Sequence, residues 1–209
     1  DIRGFTTFCE GLPPKEVLQA LNKVLSTISD IVEAHQGVVD KYNGDAVMAL
    51  FGVPIKGETD TDNAMLALLD IVAALEKMDS GLSACVGITT GVVVAGNLGS
   101  SNRMNYSVIG DTVNLAARLE GLTRLYGVSN IVSEASKDDA PGFAYRELDI
   151  VCVAGKSQSV RIFELLGEPA QLSDEKKEEV ALFAEALRQY REQNWNEAAE
   201  MFSQLQTKC

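Results

Sequence analysis

Three places in this chain concentrate polar residues of types and spacings that can act on a phosphate or a metal ion. Asp1 stands just ahead of Gly4-Phe5-Thr6. A carboxylate followed by a small-residue turn into a helix can ligate a divalent cation and offer backbone N–H groups to a phosphate. Asp45 follows Gly44 where the pattern predicts a hairpin tip. Asn114 and Arg118 are four residues apart, so a helix carries both on one face. Taken singly, each has a plain structural counterpart: a strand-to-helix turn, a turn aspartate, and a solvated helix face capped by Asp111. Taken together they describe a reaction. Two carboxylates at the ends of neighbouring strands are the minimal holder for two divalent cations, which polarise a phosphoryl oxygen and lower the pKa of an attacking hydroxyl. An Arg and an Asn on a nearby helix stabilise charge developing on that phosphate. There is no Walker A loop and no kinase glycine loop. The residues alone therefore point to two-metal phosphoryl chemistry.

The elements that must position these residues are legible from periodicity. Lys15 to Ala34 carries Val17, Leu18, Leu21, Leu25, Ile28, Ile31 and Val32 at helical spacing behind Pro13-Pro14. Val38 to Tyr42 and Ala46 to Phe51 read as two strands joined at Asn43-Gly44-Asp45. Thr59 to Met78 reads as a helix capped by Asp60 or Thr61. Strands are expected at Leu82 to Thr89 and Val92 to Asn97, turning at Thr90-Gly91. A loop follows from Leu98 to Asn105, then a strand from Tyr106 to Ile109 and a helix from Thr112 to Tyr126. The last strands are Ile131-Val132, Phe143 to Val153 and Val160 to Leu165. Beyond Pro169 there is neither Gly nor Pro, and Asp174–Gln193 and Asn196–Gln206 read as two helices. Phe183, Ala186, Leu187 and Tyr190, then Trp195, Ala198, Ala199 and Phe202, resemble one tetratricopeptide-like pair, too little for a solenoid. Trp195 is expected to anchor that pair. The irregular alternation of strands and helices predicts an α/β (α+β) domain, a mixed or antiparallel sheet with helices packed on it.

Composition narrows the partners. Among 209 residues, 18 are Lys or Arg and 30 are Asp or Glu, a formal net charge of −12. That excludes the basic footprint of a nucleic-acid binder, so counter-charges for a phosphorylated substrate must be local or supplied by metal ions. Cys9, Cys85, Cys152 and Cys209 are widely spaced with no CxxC pair, which argues against a zinc site and for reduced cytosolic thiols. Cys85 and Cys152 fall in apolar strand runs and are expected in the core, as are Met65 and Met78 on their helix. The single histidine, His35, reads as a surface or capping residue. No apolar run reaches the ~18 residues of a membrane span.

Three stretches carry a specific family resemblance. Asp1-Ile-Arg-Gly-Phe-Thr6, Asp40-Lys-Tyr-Asn-Gly-Asp-Ala-Val-Met-Ala49 and Tyr106-Ser-Val-Ile-Gly-Asp-Thr-Val-Asn-Leu-Ala-Ala-Arg118 resemble the three signatures of the class III nucleotidyl cyclase catalytic domain, in family order and at family spacing, over residues 1–168. The resemblance implies a ferredoxin-like core active as a head-to-tail homodimer, with ATP and two divalent cations, Mg2+ or Mn2+, at the interface. On it, Asp1 and Asp45 are the metal aspartates and the Ile2 carbonyl is a further ligand. The Gly4-Phe5-Thr6 backbone cradles the β- and γ-phosphates, and Lys156 reaches the terminal phosphates. The other subunit supplies Lys41 and Ser107 to the purine, and Asn114 and Arg118 to the transition state. All these residue types are present in one chain, so a homodimer can build two complete sites. Residues 169–209 form a C-terminal helical extension. The implied location is cytoplasmic, with membrane anchoring of a parent protein left open.

Two departures bear on the implied activity. In the family a first strand precedes the first metal aspartate, so the chain reads as a fragment with sequence ahead of Asp1. At Ser107 many adenylyl cyclases carry Asp, and guanylyl cyclases typically pair Glu at the Lys41 position with Cys here. Ser at this position resembles the subgroup associated with bicarbonate or CO2 responsiveness. Asn43 replaces a usually apolar residue. Three rival readings are a guanylyl cyclase, a non-catalytic cyclase-like module for dimerisation or nucleotide sensing, and a diguanylate cyclase. The last lacks its Gly-Gly-Asp/Glu-Glu-Phe hairpin here, and the non-catalytic reading conflicts with the retention of both aspartates and the Asn/Arg pair.

Overall fold

A computed structural model describes residues 1–78, 81–152 and 159–206. Its centre is a four-stranded mixed sheet in the order β5 (Val86–Ile88), β8 (Asn130–Ser133), β10 (Ser159–Gly167) and β9 (Ala144–Cys152). β5 runs parallel to β8, and the other two pairings are antiparallel. The chain before β5 continues this frame. β4 (Ser83–Ala84) pairs with β1 (Ile2–Arg3), the Cys85 N–H donates to the Asp1 carbonyl at 2.9 Å, and the Val86 N–H donates to the Ser129 carbonyl at 2.9 Å. Asp1 is thereby held beside Cys85, in line with the β1–β4 pairing. The expected single strand from Leu82 to Thr89 is thus two short strands that change partner at Cys85, which is why apolar patterning merged them.

Helices cover both faces of the sheet. Adjacent residues of a strand point to opposite faces, and both Ile131 and Val132 of β8 are fully buried. Ile131 packs with Leu115 and Leu119 of α4 (Asp111–Tyr126), Leu148 and Ile162. Val132 packs with Met65 and Leu68 of α3 (Asp60–Glu76), Ala140 and Leu165. A third cluster joins α2 (Pro14–Ala34) to β1 and β4 through Val24, Ile28, Val32, Ile71, Leu75, Leu82 and Ile2. Met65 and Cys85 are buried as their apolar surroundings predict. α1 (Phe5–Glu10) and α5 (Glu134–Asp139) are one-turn-scale helices too short for periodicity to reveal.

Two hairpins complete the domain: β2 (Val38–Asn43) with β3 (Ala46–Leu50), and β6 (Val94–Ser100) with β7 (Arg103–Ile109). The second replaces the expected loop at Leu98 to Asn105 and the expected turn of β5 onto the next strand. Both strands of this hairpin are largely solvent-exposed, so backbone pairing rather than an alternating apolar face holds it; the strands expected at Val92 to Asn97 and Tyr106 to Ile109 form its base, and only its tip and its pairing were missed. Three smaller expectations are also corrected. Cys152 is exposed, at the last residue of β9, paired with Ser159. Thr59, not Asp60 or Thr61, precedes α3, and the Asp60 carboxylate instead accepts from the Gly57 N–H at 2.6 Å. Asp111 is the first residue of α4 rather than its cap, which is Gly110. His35 closes α2 and bonds Asp70 through Nε2 at 2.7 Å.

The C-terminal helices α6 (Asp174–Arg191) and α7 (Trp195–Gln206) pack on each other, with Phe183 edge-on to Phe202. They meet β9 through Arg146, whose guanidinium lies over the Phe183 ring and bonds Glu164 at 2.6 Å and Glu179 at 3.3 Å. Trp195 sits edge-on to Tyr190 with over half its surface exposed, closing the outer end of the pair rather than filling its centre.

Candidate active site

The two predicted metal aspartates come to one region by different routes. Asp1 is held by its strand pairing with Cys85 and by Arg3, which donates to the Val128 carbonyl at 2.9 Å and to the Thr123 carbonyl at 3.4 Å. Arg3 thus ties β1 to the C-terminal end of α4. Asp45 occupies the two-residue turn Gly44–Asp45 between Asn43 and its partner Ala46. The Glu120 and Asp45 carboxylates both lie within electrostatic reach of the Asp1 backbone nitrogen. The Asp1 carboxylate is ion-paired with Arg124, which also lies 3.6 Å from Glu120. Sequence reading missed both Arg124 and Glu120. Their i,i+4 spacing on α4 was the available signal.

Gly4 takes φ 81° at the head of α1, a left-handed conformation that glycine adopts without steric cost. It turns the chain from β1 into α1 so that the Phe5 and Thr6 amides lie in the first turn, where N–H groups have no intrahelical partner.

Lys41 and Ser107 meet. Lys41 Nζ donates to Ser107 Oγ at 3.0 Å, and Ser107 Oγ donates to Asp40 Oδ2 at 2.8 Å. Lys41 Nζ also lies 3.2 Å from Asp40 Oδ2. Ser107 is 3 % exposed and the Asp40 side chain 2 %, whereas the Lys41 side chain is 44 % exposed. Adjacent strand residues normally face opposite ways. Here β2 is bulged: Val39 pairs with Ala49 and Lys41 with Met48, leaving Asp40 unpaired. A bulge re-aims side chains, and this one lets Asp40 and Lys41 reach the same hydroxyl. Alternation concealed Asp40; its only sequence signal is a charged residue following Val38-Val39.

Asn114 and Arg118 project from α4, Asn114 exposed and Arg118 half-buried. Among the described residues neither side chain has a hydrogen-bond or ion-pair partner, and they are not joined to the Asp1 or Lys41 groups within the chain. The helix itself is seated by Gly87 of β5. A Cβ there would fall inside the Ala116 carbonyl oxygen and the Glu120 nitrogen, and 3.1 Å from Glu120 Cα. Lys156 lies outside the described residues.

The hairpins expose apolar surface: Val94, Met104, Tyr106 and Ile109 on β6–β7, and Val38 and Tyr42 on β2. Among the described residues no helix is long and apolar enough to cross a membrane.

Comparison with known proteins places these features in a family. Residues 1–167 match the adenylate and guanylate cyclase catalytic domain. The chain is 33% identical over 176 residues to adenylate cyclase 1 of Rhizobium meliloti, covering 80% of this chain and 26% of that protein. It is 35% identical over 181 residues to an adenylate cyclase of Anabaena cylindrica, covering 79% of this chain and 35% of that protein. The chain therefore spans about a quarter to a third of these relatives. Its fold is similar to that of the adenylyl cyclase CyaB from P. aeruginosa, with TM-score 0.72 at 28% identity over 83% of this chain and 93% of that one. The guanylyl cyclase Cya2 is also similar, with TM-score 0.66 at 30% identity over 83% of this chain and 92% of that one.

Proposed function

The chain belongs to the adenylate and guanylate cyclase catalytic domain family, and from that premise we propose that it is an adenylyl cyclase, converting ATP to 3′,5′-cyclic AMP and pyrophosphate in a homodimer. The ribose 3′-hydroxyl attacks the α-phosphorus, the bond to the β-phosphate oxygen breaks, and pyrophosphate leaves. The observation that carries the choice of ATP is the Lys41–Ser107 contact at 3.0 Å. An ammonium offers only donors. Adenine presents ring-nitrogen acceptors, N1 among them, whereas guanine presents N1–H and N2–H donors.

Asp1, Asp45 and the Ile2 carbonyl form an oxygen-only donor set of the kind that suits Mg2+ or Mn2+. No group of three or more His, Cys, Asp or Glu side chains among the described residues is arranged to hold a metal, so the two carboxylates rely on the backbone and the substrate for further ligands. Bound there, the divalent cations would supply charge neutralisation at the phosphates and acidify the 3′-hydroxyl. The Gly4-Phe5-Thr6 backbone holds the β- and γ-phosphates, and the family resemblance assigns Lys156 to the terminal phosphates. Arg118 and Asn114 donate to the α-phosphoryl oxygens as charge develops. These two side chains have no partner within the described residues of the chain, which supports their delivery to a second subunit's nucleotide. The exposed apolar residues of the hairpins support the same association.

The similarity to a guanylyl cyclase at 30% identity makes GTP the necessary control. The deciding experiment incubates the chain with ATP and GTP in parallel, with Mg2+ or Mn2+, with and without bicarbonate, and identifies the products. Cyclic AMP as the main product is expected. Cyclic GMP as the main product overturns the base assignment, and no cyclic nucleotide under any condition overturns the enzymatic reading in favour of a non-catalytic module.

A further inference from the structure

We infer that Asp40 is a positioning residue that sets base selectivity by locking the Ser107 hydroxyl as a hydrogen-bond acceptor. The inference rests on the proposed reading, in which Lys41 and Ser107 face the purine. A serine hydroxyl has one O–H to donate and two lone pairs to accept with. Left free, it rotates to suit a donor or an acceptor and discriminates neither base. It is not free here. Asp40 Oδ2, 2.8 Å away, can only accept, so the O–H points at it. Lys41 Nζ, 3.0 Å away, can only donate, so it takes one lone pair. One acceptor site remains on Oγ.

That remaining site matches the 6-amino group of adenine, a donor. It opposes the 6-oxo group of guanine, an acceptor. Asp40 therefore gives a serine the hydrogen-bonding character that an aspartate would have at position 107. The same carboxylate orders the ammonium. Of the three Lys41 N–H groups, one meets Ser107 and one faces Asp40 at 3.2 Å, leaving the third for a ring nitrogen. The bulge in β2 is what allows one carboxylate to serve both neighbours, since a regular strand would send Asp40 to the opposite face from Lys41. The Asp40 side chain is 2 % exposed, so no water competes for the contact.

The test compares kcat/KM for ATP and for GTP in the full chain and its variants. Asp40→Ala releases the hydroxyl, and the ATP/GTP ratio should fall about tenfold, the typical worth of one matched polar contact. Asp40→Leu, which keeps a similar buried shape but offers no acceptor, should shift the ratio the same way, and it carries the test where the alanine variant does not fold. In a Ser107→Ala background, removing Asp40 should lower the ratio by less than it does in the wild type, because only its hold on Lys41 is then lost. Ser107→Asp should be rescued by Asp40→Ala, because the first substitution alone sets two carboxylates against each other. The double variant should regain the wild-type ratio. A ratio unchanged in Asp40→Ala and Asp40→Leu, or one that falls equally in the Ser107→Ala background, overturns the inference while the cyclase reading stands. A wild-type chain that forms no cyclic nucleotide overturns that reading, and the inference with it.

Discussion

Gly87→Ala is the sharpest test of how α4 delivers Asn114 and Arg118. The new methyl group would overlap backbone, namely the Ala116 carbonyl oxygen and the Glu120 nitrogen, and no flexible side chain is available to yield. Interiors packed to crystal density do not absorb such a clash in place, so α4 must retreat by about 1 Å. Overpacking of this kind costs about 2 kcal/mol, which in a domain of this size lowers Tm by about 4–8 °C. The functional cost should be larger. Ala116 and Glu120 flank Arg118 on the helix, and a misplacement of about 1 Å in a group that must meet a reacting phosphate costs about a hundredfold in kcat. Cyclase turnover measured at a temperature where circular dichroism shows the variant fully folded separates the two effects. A folded Gly87→Ala protein with wild-type kcat would refute the argument that close packing on β5 places the α4 side chains for catalysis.

Lys41→Glu replaces a donor with an acceptor and should lower the ATP/GTP ratio of kcat/KM by about ten- to a hundredfold; an unchanged ratio removes Lys41 from base recognition. Asp45→Ala and Arg118→Ala proteins should each be inactive alone yet recover partial turnover when mixed, because one of the two heterodimer sites then keeps both groups; no recovery in a verified heterodimer places them in the same subunit's site. Burial and the hydrogen bond to Asp149 push Tyr126 up to about 12, and burial does the same for Tyr145. The folded state holds these protons more tightly than the unfolded one. Their contribution to stability is therefore full below pH 10 and lost as the pH rises through 12, and phenolate absorbance should show two of the five tyrosines titrating late. Free thiol labelling should reach exposed Cys152 in the native chain and buried Cys85 only on unfolding.

What the sequence disclosed follows from which interactions leave a pattern. The helix over Pro14–Ala34 was legible because one face packs against α3 and the β1–β4 pair, which forces an apolar residue every third or fourth position. The β2–β3 hairpin was legible from Asn43-Gly44, at the start of the turn that joins its strands. Of the β6–β7 hairpin the base was legible, as the strands expected at Val92 to Asn97 and Tyr106 to Ile109, but its tip and its pairing were not, because its strands bury little and their ladder is made of backbone groups that every residue carries. The same division runs through the site. Asp1, Asp45, Asn114 and Arg118 stood out as candidates because the proposed chemistry demands those residue types at that spacing. The Lys41–Ser107 contact followed from resemblance, since 66 residues separate them in the chain. Asp40 escaped because strand alternation assigns it to the face opposite Lys41, and only the extra residue in β2 brings both onto one hydroxyl. A bulge has no composition of its own. It is set by the register of the partner strand, here Ala49 and Met48 in β3, and register is a property of two segments that neither reveals alone. The residue hardest to read from the sequence is thus the one whose position depends on a pairing irregularity, and that irregularity fixes the direction of the Ser107 hydroxyl.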